Sequence, residues 1–232
     1  MTAVDAGPGP ERDEALLARW GEAVREATGA AAAATDPGVR EYGAELLRRW
    51  SEEPRAYHTV AHLSAVLEHV DTLAAHAAEP ALVRLAAWFH DAVYRPDRSE
   101  NEERSARLAE RALAELGLDP SAVAEVVRLV RLTADHAVRD GDRNGAVLCD
   151  ADLAVLAGTP ARYRAYAEAV RTEYHFVPDP AFRTGRAEVL RRLLALPRLY
   201  GTPHGARHWE AAARRNLTAE LAELAAPPAR RA

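Results

Sequence analysis

The sequence contains no lysine, so all 30 of its basic residues are arginine. A GC-rich genome is the ordinary cause of such a bias. One chemical consequence follows: a phosphate held by a side chain here must be held by arginine or histidine. The single cysteine, Cys149, excludes an intrachain disulfide and fits a reducing, cytoplasmic setting. Aromatic residues make up only 6% of the chain, and no run of five or more like charges occurs. A net charge of −5 and a pI near 6.0 argue against a nucleic-acid-binding surface, which is normally basic. The longest nearly apolar segment, Ala81 to Tyr94, is too short and too polar to span a bilayer. The N-terminal stretch lacks the basic start and apolar centre of a secretory signal, and residues 1–10 are expected to be a disordered tail.

What the chain does have is helix-forming composition. Hydrophobic residues reach 48%, dominated by alanine and leucine, and arginine and glutamate fill much of the rest. These side chains lose little freedom in a helix. The 3.6-residue period runs through most of the sequence: Leu16, Leu17, Trp20 and Val24 share one face, as do Leu63, Val66, Leu67, Val70 and Leu73. Gly29 and Gly117 mark stops, and Pro37, Pro120 and Pro160 mark starts, with Thr159 as an N-cap. No segment alternates as a strand would, and no linker divides the chain. The expectation is an all-α fold of about nine helices, a single domain over residues 11–226, with 227–232 a frayed end.

Four groups of residues are candidates for chemistry: His58 and His62 in "YHTVAH", His90–Asp91 in "WFHDAVY", His136 in "TADH", and Asp150/Asp152 in "CDADL". Each alone is weak, because a helical histidine or aspartate is usually solvated or a cap. Context strengthens them. His90 and Asp91 close a helix apolar nearly all round, and Asp150 and Asp152 sit among Val147, Leu148, Leu153 and Leu156. A carboxylate buried there requires a cation, and a divalent metal pairs with carboxylates and imidazoles at once. The bland alternatives are an arginine partner or, for Asp150, a helix cap.

The order H…HD…D resembles the HD superfamily of metal-dependent phosphohydrolases. "YHTVAHL", "FHDAVY", "SENEERSA", "TADH" and "DADL" together are similar to its small bacterial branch, over roughly Arg55 to Tyr200. The resemblance implies an HD-type helical bundle holding one divalent ion (Mn, Fe, Co, Ni, Zn or Mg) on His62, His90, Asp91 and Asp152, with Asp150 as the competitor for the last place. It also implies a hydrolase of small phosphate esters, nucleoside monophosphates foremost. "YHTVAH" further resembles the YHNxxH stretch of cyclic-nucleotide phosphodiesterases, which makes His58 the substrate-side histidine.

In that reading Asp91 orients a water, His58 donates to the leaving oxygen, Glu102 reaches the water, and His136 holds a phosphate oxygen or a second ion. Arg55 is expected to fork onto phosphate or to be a plain loop arginine. Glu173, Tyr174 and Arg186, with Arg171, are candidates for closing the substrate pocket; an Arg–Glu pair between helices is the competing reading. Three other functions stay open: a cyclic-nucleotide-type phosphodiesterase, a di-iron HD oxygenase, and a non-catalytic scaffold that binds a nucleotide. The oxygenase needs two histidines between Asp91 and Asp152, and the chain offers only His136. His69 and His76 are expected at the surface or an interface, His204 and His208 are read as structural, and Cys149 as a small core residue. No membrane or nucleic-acid partner is expected.

Overall fold

The computed structural model describes residues 9–30 and 36–226. These residues form eleven α-helices: α1 (Pro10–Thr28), α2 (Pro37–Trp50), α3 (Val60–Leu73), α4 (Pro80–Phe89), α5 (Asn101–Glu115), α6 (Pro120–Leu132), α7 (Arg143–Leu153), α8 (Pro160–Glu173), α9 (Asp179–Ala195), α10 (Pro203–His208) and α11 (Glu210–Ala225). Short 3-10 turns follow α3 and α7, and no strand occurs among the described residues.

Helix starts follow local chemistry. The Asp36 carboxylate accepts from the Gly38 and Val39 amides, Asp119 from Ser121, Asp142 from Gly145 and Thr159 from Arg162. Gly29 ends α1 in the left-handed conformation (φ 67°), which an alanine would adopt only with strain.

The count exceeds the expected nine partly because residues 203–224, whose composition predicts one helix, break at Trp209 into α10 and α11. The helix opened by Pro120, which the period extends to about His136, stops at Leu132, and α7 starts within residues 137–145, whose polar and glycine content predicts a turn. Pro10 already opens α1, inside the expected tail; residues 1–8 and 227–232, expected to be disordered and frayed, lie outside the described residues.

Two apolar clusters organise the packing. The larger draws on α1 to α7 and centres on Trp20, Trp50, Trp88, Leu63, Leu67 and Phe89, all fully buried. Trp20 meets Trp88 edge-on, with ring centres 5.4 Å apart, a favoured aromatic geometry. The smaller joins Leu156, Tyr163, Leu190, Tyr200 and Leu217 from the C-terminal helices, and Trp209 packs against both clusters. α4 is buried on nearly every side, as its continuous apolar sequence requires. No helix among the described residues is long and apolar enough to cross a membrane.

Candidate metal centre

α4 delivers His90 to the interior. The His90 amide still bonds to Ala86 O, and its ring Nδ1–H donates to Ala87 O at 2.7 Å. That bond fixes the tautomer and turns the Nε2 lone pair inward. From α3, His62 brings its own Nε2 to within 3.4 Å of it. From α7, Asp152 Oδ1 lies 3.1 Å from His62 Nε2 and 3.6 Å from His90 Nε2. These three groups lie within 4.8 Å of one another and can hold a metal ion.

The spacing and the donor set fit such an ion. Two ligand atoms each about 2.1 Å from a cation and about 90–110° apart are themselves roughly 3.0–3.4 Å apart. The two Nε2 atoms, 3.4 Å apart, and Asp152 Oδ1, 3.1 and 3.6 Å from them, form a donor set that a divalent cation can bridge once both imidazoles are unprotonated.

Asp91 sits beside the trio rather than inside it. Its Oδ2 is 3.4 Å from His90 Nε2 and 3.8 Å from His58 Nε2. His136 approaches from the loop after α6, where its Nε2–H donates to Asp152 Oδ2 at 2.9 Å. It does so with a left-handed backbone (φ 55°), which is uncommon for a non-glycine residue and is held by the surrounding structure.

The ring of His58 stacks on Tyr94, with centres 4.1 Å apart, and its Nδ1–H donates to Glu173 Oε2 at 2.7 Å. Tyr57, between the two histidines in sequence, packs its ring 4.6 Å from His62 and 4.7 Å from Tyr166.

The electrostatics follow from burial and charge. Burial disfavours a charged His90, but Asp91 and Asp152 outweigh it and push this group up to about 9. His62 moves down, with burial dominant. Burial would raise Asp152, yet hydrogen bonds from His136, His62 and His90 hold it well below the usual carboxylate range. For His58, Asp91 and Glu173 overcome burial and raise the imidazole.

Five expected residues have other roles. Asp150 is not a ligand: its carboxylate takes the Gly201 amide (2.7 Å), the Thr202 amide (2.8 Å) and the Thr202 hydroxyl (2.6 Å). Arg55 does not reach into the site. Its guanidinium donates to the carbonyls of His58, Asp91 and Ala92, and lies between the Trp50 and Tyr94 rings. Glu173 is fully buried behind His58 and touches no open space. Arg186 pairs with Glu220 at 2.8 Å and leans on Tyr166, the inter-helix ion pair that was the competing reading. Arg171 caps its own turn through Tyr174 O and Val177 O.

Tyr174 and Glu102 are both half-buried. Burial first, then the charges of Glu173, Glu102 and Asp91, raise the Tyr174 phenol. Of the other histidines, His69 packs edge-on against Trp209, and His204 lies 4.6 Å from His208 by ring centre. Cys149 is buried.

Tyr94 and Tyr57 were missed as site residues. A signal was available in both: each stands within five positions of a candidate ligand, and Tyr94 ends the apolar run that carries His90. Comparison with family models, with curated proteins and with solved structures gave no match.

Proposed function

We propose that this chain is a metal-dependent phosphohydrolase of HD type acting on small phosphate esters. The observation that carries the reading is the convergence of His62, His90 and Asp152 from three separate helices, with Asp91 and His58 beside them. Two imidazoles and one or two carboxylates leave positions for water and a phosphate oxygen, an open set of the catalytic kind. A divalent cation held there supplies charge neutralisation to a phosphoryl oxygen and acidifies water.

The chain's own residues do the rest. Glu173 holds the Nδ1 proton of His58, so the Nε2 side is presented toward Asp91. A protonated His58 donates from Nε2 to the departing alkoxide oxygen. Asp91, at 14% side-chain exposure, accepts a hydrogen bond from water and aims its lone pair. His136 keeps Asp152 oriented. A cytoplasmic setting and a small-molecule rather than nucleic-acid substrate belong to the same reading. Among the described residues His136 is the only further imidazole that contacts the carboxylates of the centre, one short of the set a di-iron oxygenase needs.

The test is phosphate release from mononucleotides, sugar phosphates and cyclic nucleotides with added Mn, Co, Ni or Mg. Metal-dependent release, lost together with metal in His90→Ala, is expected. Full metal loading with no release from any ester defeats the proposal, and release from the cyclic esters alone favours the diesterase.

A further inference from the structure

His62 and Asp152 also border a cavity of about 450 Å³, of a size that holds a small ligand. Its composition is unusual for a site meant to read a polar molecule. One wall is α3, where Ala61 and Ala65 stand one turn apart; the facing wall is α8, where Ala165 and Ala169 do the same. Ala154 and Ala157 of the turn after α7 also line it, as does Trp209.

The rings of Tyr57 and Tyr166, with centres 4.7 Å apart, line it beside His62. Among the described residues, no carboxylate or carboxamide side chain apart from Asp152 lines it; Thr59, His69 and Arg162 are the other polar side chains besides His62 and the two tyrosines. Small side chains on two helices leave a slot, and the aromatic rings that line it favour a flat occupant. A sugar placed against the alanine walls would find no side-chain partner for the hydroxyls that face them. An apolar ring loses nothing and sheds its water.

We propose that this cavity receives the leaving group of the ester, and that the preferred substrates are phosphomonoesters of apolar ring-bearing alcohols. This rests on the phosphohydrolase reading above. A second cavity of about 470 Å³ meets the site at His136 and carries Arg139 and Arg198, neither of which has an ion-pair partner among the described residues. It supplies the opposing outcome, a preference for esters bearing a second anionic group.

The experiment compares kcat/KM of manganese-loaded full-length protein for 2-naphthylmethyl phosphate and glucose 6-phosphate. Both are esters of primary alcohols, so leaving-group reactivity is matched. The naphthyl ester is expected to win by at least tenfold. Ala65→Trp, with Ala65→Leu as the milder variant and a melting curve as the check on folding, is expected to collapse that ratio. Arg198→Ala is expected to leave it intact.

Equal or inverted preference in the wild type overturns the proposal, as does a ratio that responds to Arg198→Ala and not to Ala65→Trp. Calorimetric binding of 2-naphthylmethylphosphonate separates the two ideas. If no ester is turned over but the phosphonate binds and Ala65→Trp weakens it tenfold, the hydrolase reading fails and the cavity assignment stands. If both proteins bind it equally, the cavity assignment fails.

Discussion

Asp150 and Asp152 stand two positions apart in α7 and serve opposite sides of it. Residues at that spacing point about 200° apart around a helix. Asp152 faces His62 and His136, while Asp150 faces the Gly201–Thr202 backbone. There the Thr202 hydroxyl donates to Asp150 and accepts from Gly205, at the start of α10. Gly205 is required for this approach, since a Cβ at that position would lie 2.6 Å from Asp150 Oδ2. The two acids therefore separate under mutation. Asp150→Ala is expected to lower unfolding stability by roughly 1–3 kcal/mol and to keep metal. Asp152→Ala is expected to abolish metal binding. Elemental analysis alongside urea denaturation distinguishes them, and metal loss in the Asp150 variant would reverse the assignment.

His90 gives metal binding a pH dependence of known sign. Its imidazole is pushed up to about 9 in the metal-free protein, after Asp91 and Asp152 overcome the effect of burial. A ligand nitrogen must be unprotonated, so below that value a proton competes with the ion. Affinity is expected to weaken as pH falls, by about tenfold per pH unit between pH 8 and 6 from this group alone. Calorimetry in two buffers of different ionisation enthalpy should report about one proton released per ion near neutrality. Affinity independent of pH over this range would show that His90 is not a ligand.

Glu173 ties α8 to the segment before α3. One carboxylate oxygen accepts the amides of Ala56, Tyr57 and His58; the other accepts from His58 Nδ1 and the Tyr94 hydroxyl. Burial opposes the charged form, yet these donors bring the group down to about 2 from its ordinary 4.5. A depressed carboxylate stabilises the fold fully above its unfolded value and loses that effect as pH falls toward the folded value. Glu173→Gln is therefore expected to be less stable than wild type by about 3 kcal/mol at neutral pH, with the gap more than halved by about pH 3. Urea midpoints at several pH values measure it. A gap constant across that range would mean that the charge contributes nothing.

Helix positions were legible where a single residue decides them. Pro37, Pro120 and Pro160 each stand at a helix start, and Gly29 at a stop, because backbone geometry is fixed by the residue itself. The break at Trp209 was not legible, since helix formers flank it and tertiary packing of the indole against both apolar clusters decides the outcome. In the site, the apolar settings of His90 and Asp152 pointed to a cation, and those residues do meet His62. The partners of Glu173 could not be read, because three of them are backbone amides more than a hundred positions away, which no side-chain pattern records. The same holds for Arg55, whose partners are carbonyls. The alanine-lined slot was invisible for a related reason: alanine in a helix reads as propensity, and only the facing of α3 and α8 turns it into space.

Arg55 offers a test that separates a positioning role from phosphate binding. Its guanidinium reaches three carbonyls, those of His58 (2.8 Å), Asp91 (2.9 Å) and Ala92 (3.3 Å), and so clamps the His58 segment to the turn that carries Asp91. The Trp50 and Tyr94 rings lie 5.3 and 5.5 Å from its central carbon, a second use of its planar charge. Lysine cannot reproduce either: its ammonium is compact and strongly hydrated, and it lacks the rigid fork. Arg55→Lys is thus expected to lower stability by roughly 1–3 kcal/mol, because buried carbonyls lose donors. It should also lower kcat, because Asp91 and His58 lose their fixed separation. A residue that gripped the phosphate instead would leave stability and kcat unchanged and raise KM alone. Melting curves and steady-state kinetics on the one variant decide between them, and an unchanged melting curve with raised KM would return Arg55 to the substrate.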